Sequence, residues 1–162
     1  MGKWLALAGL LVAADQLAKY AAVQYLAVNQ AVAVTPFFNL VLVYNSGAAF
    51  SILSDAAGWQ RGLFIAIALI ASAWIVYLLR KYPHQRLFAL ALSLVLAGAV
   101  GNVIDRILIG VVIDFLDFHA LGYHWPAFNI ADSAITCGAA LLIWDALRPR
   151  KSENLDAKSQ SR

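Results

Sequence analysis

The stretch GAVGNVIDRILIGVVIDFLDFHALGYHWPAFNIAD, residues 98–132, decides how the chain is read. It starts inside an apolar run long enough to cross a bilayer, yet it carries Asn102, Asp105, Arg106, Asp114, Asp117, Asn129 and Asp132. An ionised side chain at membrane depth is costly unless it faces a bundle interior, water or a partner, so each of these is a candidate functional group. Asp114 follows one apolar run and Asp132 opens the next. An antiparallel helix pair would therefore bring the two carboxylates together despite their separation in sequence.

Outside this stretch the composition points the same way. Of 162 residues, 62% are hydrophobic and 13% charged, far from the roughly half apolar and quarter charged balance of soluble domains. The expected class is an α-helical integral membrane protein, with four transmembrane helices and a small extracytoplasmic β-sheet between the first and second. The formal charge of +3 is spread over segment ends, which suits acidic lipid headgroups and not nucleic acid. The single cysteine, Cys137, cannot close an internal disulfide, and its apolar surroundings make it read as a small core residue.

The four spans fall at about residues 4–25, 62–79, 87–106 and 130–147, lengths that suit a hydrocarbon core of about 30 Å at about 1.5 Å per residue. Lys3 before the first span resembles the start of a signal peptide. Asp15, Gln16 and Lys19 interrupt what would be its uncharged core, and no clean small-x-small cleavage site follows, so the segment reads as a retained helix. Asp15 and Lys19, four apart, form a favourable pair on one face; mere neutralisation and a functional role fit it equally. In the third span Gly98, Asn102 and Asp105 share a face, with Arg106 four residues beyond Asn102. Gly98 and Gly101 thin that helix so that neighbours can approach. Asp105 alone also reads as a solvated charge at a helix end, and Asp145 as a snorkelling or paired interfacial charge.

Between the first two spans the pattern changes. In residues 28–59, TPFFNLVLVYNSGAAFSIL is β-branched and aromatic, opens with Pro36 and contains the turn signal Asn45-Ser46-Gly47. A small sheet on the membrane surface is expected, with Asn45 at a strand end and Gly47 letting the backbone approach a ligand closely. Taken alone, Asn-x-Gly is an ordinary turn. Residues 107–129 read as a second outward loop, and 149–162 as a polar, disordered cytoplasmic tail. No repeat or linker divides residues 1–148, which read as one domain.

Lys3, Arg80, Lys81, Arg86, Arg148, Arg150 and Lys151 flank the spans on one side, whereas residues 28–60 and 107–131 contain no Lys or Arg. The positive-inside rule then puts both termini in the cytoplasm and both long loops outside. Arg106, Asp114, Asn129 and Asp132 gather at the outer boundary, with Asn45 arriving from the other loop.

Two carboxylates a few ångströms apart cannot both ionise cheaply, so they share a proton and can act as base and acid in water-mediated hydrolysis of an amide. Zinc proteolysis lacks a His-Glu-x-x-His helix, and serine chemistry lacks a Gly-x-Ser-x-Gly elbow. No glycine-rich phosphate loop or ligand cluster calls for a cofactor or metal. From the residues alone, a proton- or ion-conducting bundle and a membrane assembly factor stay open beside the acid pair.

Taken in order, five motifs resemble the type II, or lipoprotein, signal peptidases of bacteria: Asp15-Gln16-x-x-Lys19, Asn45-x-Gly47-x-Ala49-Phe50, Gly98-Ala99-x-Gly101-Asn102-x-x-Asp105-Arg106, Val112-Ile113-Asp114-Phe115, and Phe128-Asn129-x-Ala131-Asp132. The resemblance implies an aspartic endopeptidase that removes the signal peptide of a prolipoprotein, cutting before a diacylglyceryl-modified cysteine. It implies Asp114 and Asp132 as the catalytic dyad and carries Asn45, Gly47, Asn102, Arg106 and Asn129 to the substrate pocket and its support. Asp15 and Lys19 would maintain the site from the first span, with Gly98, Gly101 and Asp105 structural. It further implies a monomer in the cytoplasmic (inner) membrane, with the lipid-modified precursor and membrane lipids as partners.

Overall fold

The computed structural model describes residues 1–28, 30–47 and 59–148. Ala49 and Phe50 of the second motif, the basic residues Arg150 and Lys151, and the tail from 149 lie outside the described residues. Among the described residues four helices are long and apolar enough to cross a membrane: α1 (Gly2–Tyr25), α2 (Trp59–Lys81), α3 (Arg86–Leu108) and α4 (Ile130–Leu147). Helix α2 begins three residues before the expected start at Gly62, because Trp59 and Gln60 continue its first turn.

Helix α3 is the centre of the bundle and packs against the other three. Ala89, Ala91, Leu92, Ser93, Leu96, Ala97, Gly98 and Gly101 are buried along it, and Ala89, Leu92, Leu96 and Ala97 form an apolar core with Ala8, Ile75 and Leu79. Small residues set the spacing of the α3–α4 seam. A Cβ at Gly138 would lie 2.8 Å from the Ala91 carbonyl oxygen, and one at Gly98 would clash with the Ala131 carbonyl and the Ile135 side chain. With no hydrophobic drive between helices in lipid, such close backbone approach is what stabilises their association. Ser93 satisfies its hydroxyl by donating to the Ala89 carbonyl at 2.7 Å. Large apolar side chains such as Leu10, Leu17, Ile70 and Ile143 cover the outside, as expected of a surface solvated by lipid. Cys137 belongs to that outer surface and is exposed, which corrects its reading as a core residue.

The sheet takes strands from both long loops. β1 (Val32–Thr35) and β2 (Phe38–Asn45) come from the first, while β3 (Val112–Ala120) and β4 (Tyr123–His124) come from the second. All pair antiparallel in the order β1-β2-β3-β4. Residues 107–129, read as a loop, therefore supply half the sheet. Gly110, at φ +86°, closes α3: its N–H donates to the Asp105 carbonyl at 3.2 Å, and the left-handed conformation favours glycine there. Leu121 (φ 51°) and Gly122 (φ 83°) make the tight β3–β4 turn. The β2–β3 register sets Val43 opposite Asp114 and Asn45 opposite Val112, so the sheet brings the end of one loop to the chemistry of the other.

Candidate active site

The site rests on an ion cluster buried between α1, α3 and α4. Lys19 is 2% exposed and Asp15 1%, and the Lys19 ammonium meets Asp15 Oδ2 at 2.9 Å and Asp105 Oδ2 at 2.7 Å. Its third contact is Asn102 Oδ1 at 3.0 Å, so all three ammonium donors are used. Asp15 Oδ1 accepts the backbone N–H of Ala131 at 2.8 Å, one of the donors that the start of α4 leaves without an intrahelical partner. Asp105 Oδ2 accepts the N–H of Ile113 at 3.2 Å, fixing the start of β3 to α3. Asp105 is thus an internal strut and not a solvated charge. Gly101 makes room for the cluster: a Cβ there would lie 2.8 Å from Asp15 Oδ2.

Three asparagines stand above this cluster and orient the two carboxylates. Asn129 is the N-cap of α4, and its Oδ1 accepts the Asp132 N–H at 2.8 Å while the Asp132 carboxylate receives the Asn129 N–H at 3.3 Å. This reciprocal box fixes Asp132 at the helix N-terminus. The Asn129 amide nitrogen donates to Asp114 Oδ1 at 2.7 Å, so one residue holds both acids. Asn102 accepts from Lys19 and from Asn129 Nδ2 (3.2 Å), which turns its own NH2 toward Asp132 Oδ1 at 2.7 Å. Asn45, at the end of β2, donates to Asp114 Oδ2 at 3.1 Å.

Burial pushes the Asp114 carboxyl up to about 7, with the neighbouring Asp132 charge adding to it against the hydrogen bonds of Asn45 and Asn129. Asp114 is 1% exposed, and a carboxyl in such a place titrates near neutrality because its charged form is poorly solvated.

Arg106 lies beside the acids but is half-buried and already engaged. It donates to the Gly47 carbonyl at 3.1 Å and to the Asn102 carbonyl at 3.4 Å, and stacks on Phe64 at 5.0 Å. Gly47 N–H in turn donates to Asn45 Oδ1 at 3.0 Å, so Arg106 and Gly47 tie the end of β2 to α3. The site residues read from the sequence thus converge, except Gly98, which acts one turn lower through the α3–α4 contact, and the candidate Asp117, which lies in the sheet away from the acids.

Two residues have partners that the sequence reading did not give. Gln16, noted for its polarity and its place in the first motif but given no role, donates to Asp105 Oδ1 at 3.0 Å, to the Gly101 carbonyl at 3.2 Å and to Asp15 Oδ2 at 3.2 Å. Asp117 belongs elsewhere: it accepts from Asn39 at 2.8 Å and meets His124 Nδ1 at 2.9 Å. Burial alone would raise its carboxyl, but the bonds from Asn39 and His124 outweigh that and hold it below the usual range. It braces the sheet.

Fold and site together define a polytopic membrane protein with two acids held by amides at one end of its bundle. Known proteins narrow the class. The family model described as "Signal peptidase (SPase) II" matches residues 7–148. A "Lipoprotein signal peptidase" of Burkholderia mallei (strain SAVP1) is 55% identical over 148 residues, covering 91% of this chain and 89% of that protein. One from Paraburkholderia phymatum gives the same identity and coverage. A bacterial membrane enzyme solved by the in meso method at 2.3 Å resolution superposes with a TM-score of 0.82 at 34% identity, covering 100% of this chain and 94% of that one. A second such enzyme, at 1.9 Å, gives a TM-score of 0.81 at 36% identity over 93% of this chain and 96% of that one. The chain belongs to the signal peptidase II family and is a multi-pass membrane peptidase.

Proposed function

We propose that Asp114 and Asp132 are the catalytic dyad of an aspartic endopeptidase that cuts prolipoproteins immediately before their diacylglyceryl-modified cysteine. The observation that carries the reading is the double hold of Asn129 on both acids: its side chain bonds Asp114 and its backbone N–H bonds Asp132. With one proton between them, the ionised carboxylate takes a proton from water as its oxygen attacks the scissile carbonyl carbon. The protonated partner then delivers its proton to the leaving nitrogen as the C–N bond breaks. The products are a signal peptide ending in a carboxyl group and a lipidated cysteine with a free amine. Asn45 and Asn129 hold Asp114, Asn102 holds Asp132, and the Lys19 cluster fixes Asn102 and the start of α4.

Orientation follows from charge. Lys3, Arg80, Lys81 and Arg86 lie at the bundle end away from the dyad, which supports a cytoplasmic location for that end and a site at the outer face of the bacterial inner membrane. Residues 1–148 act as one domain, as a monomer, with the apolar surface around the site receiving the signal helix and the lipid chains.

The test is incubation of the purified chain in nanodiscs with a diacylglyceryl-modified precursor and with its unlipidated counterpart, the products being weighed by mass spectrometry. Cleavage of the lipidated form alone, before the modified cysteine, is expected. An uncut precursor, together with proton flux through vesicles carrying the chain, would replace the peptidase reading with the conducting bundle.

A further inference from the structure

At the bundle end opposite the dyad, a cleft of about 430 Å³ opens between the first turn of α3 and the last turn of α4, lined by Gln85, Arg86, Leu87, Phe88, Asp145 and Arg148. Three of these six side chains are charged, and the catalytic reading uses none of them. Arg86 is the first residue of α3, with no acidic residue in that turn, so a cation sits where the helix end is itself positive. Arg148 caps α4 and stacks on Trp144 at 5.5 Å. Among the described residues neither Arg86 nor Asp145 forms an ion pair or a side-chain hydrogen bond. Among the described residues the cleft therefore offers two guanidinium groups and one carboxylate that no ion pair compensates.

Its depth in the membrane is marked independently. Trp4 donates to the Pro83 carbonyl at 3.2 Å, and Lys3 lies over the Trp4 ring at 4.8 Å. Lys81 lies over Tyr77 and Tyr82 at 5.8 and 5.4 Å. A belt of Trp and Tyr with basic residues beside it is the signature of the headgroup layer. The ligand that belongs at that level and matches two cations beside one anion carries a phosphate diester and a primary ammonium a few bonds apart.

We propose that this cleft binds the headgroup of an aminophospholipid, with the phosphate diester between Arg86 and Arg148 and the ammonium on Asp145. Leu87 and Phe88 floor the cleft with apolar surface for the glycerol and the first methylenes. The basic side chains supply attraction for any phospholipid, and Asp145 supplies the choice: an ethanolamine ammonium donates hydrogen bonds to a carboxylate, a choline headgroup has no N–H to donate, and a glycerol headgroup has no positive charge. The orientation proposed above makes this the cytoplasmic leaflet, but the site itself does not depend on the peptidase reading.

The experiment uses the full chain in detergent micelles doped with phosphatidylethanolamine, phosphatidylcholine or phosphatidylglycerol of identical acyl chains, with retained lipid counted by native mass spectrometry. The wild type should retain phosphatidylethanolamine over the other two. Asp145→Asn should lower the ethanolamine-to-choline preference about fivefold, the worth of one interfacial ion pair, while Arg86→Gln should lower retention of all three. Thermal unfolding in undoped micelles separates misfolding from loss of the site, and a misfolded Asp145→Asn is replaced by Asp145→Ser. Equal retention of the three lipids by the wild type, or an ethanolamine preference untouched by the Asp145 variants, overturns the proposal. Precursor cleavage is not read, so failure here leaves the dyad standing, and failure of the dyad leaves this site standing.

Discussion

Lys19→Met tests most sharply what supports the dyad. Methionine keeps the length and apolar stem of lysine but removes an ammonium that contacts Asp15, Asp105 and Asn102 at 2.9, 2.7 and 3.0 Å. Two carboxylates then face each other at 1% and 4% exposure without a cation. Breaking a buried pair by removing one partner costs about 3–5 kcal/mol, because the remaining charge stays desolvated. Asp105→Asn in the same chain lowers the uncompensated charge from two to one, which is the net charge of the wild-type trio. The double variant should therefore be more stable than the sum of the single changes by about 0.5–3 kcal/mol. Unfolding by rising SDS fraction in mixed micelles, measured on all four proteins, gives the coupling. An additive cycle, or a Lys19→Met cost below about 1 kcal/mol, would refute an ammonium shared by both acids.

Other expectations follow from the same geometry. The value of kcat/KM should fall as pH rises through about 7, where Asp114 gives up its proton. Asn45→Ala removes a bond that favours the ionised form, so it should move that limb to higher pH; a pH–rate profile with an unmoved limb would contradict the contact. Gly98→Val should cost about 1–3 kcal/mol and most of the activity by prising α4 from α3, whereas Gly62→Ala, with open space around the new methyl, should hold or gain stability; equal losses in SDS unfolding would count against the seam. Chelators should leave precursor cleavage intact, and a loss restored by zinc would point to metal chemistry.

Much of this arrangement was legible in the chain because helical spacing is regular. Gly98, Asn102 and Asp105 could be put on one face, and Asp15 beside Lys19, from a 3.6-residue period alone. The second hairpin was not legible. Val112, Ile113, Asp114 and Phe115 are all buried, so β3 lacks the alternation that marks a strand with one wet face. Nor does local sequence say that β2 pairs with β3, a contact between residues far apart in the chain. A readable signal was passed over at Asn129-x-x-Asp132, where an N-cap residue followed three later by an acid announces the start of α4. Cys137 misled because lipid-facing and protein-facing positions are both apolar in a membrane helix, so hydrophobicity does not tell outside from inside. Gln16 was undervalued because a neutral amide gives no sign of which carboxylates it will bridge.

The decisive measurement is the cleavage rate of a diacylglyceryl-modified precursor by Asp114→Asn and by Asp132→Asn, each in nanodiscs and each checked for a wild-type unfolding profile. Both amides preserve shape and one of the two hydrogen bonds that each carboxylate accepts, while abolishing the shared proton. Loss of turnover in both, by at least about 10³-fold, is the predicted result. Substantial turnover in either folded variant would mean that the paired acids are not what cuts the substrate.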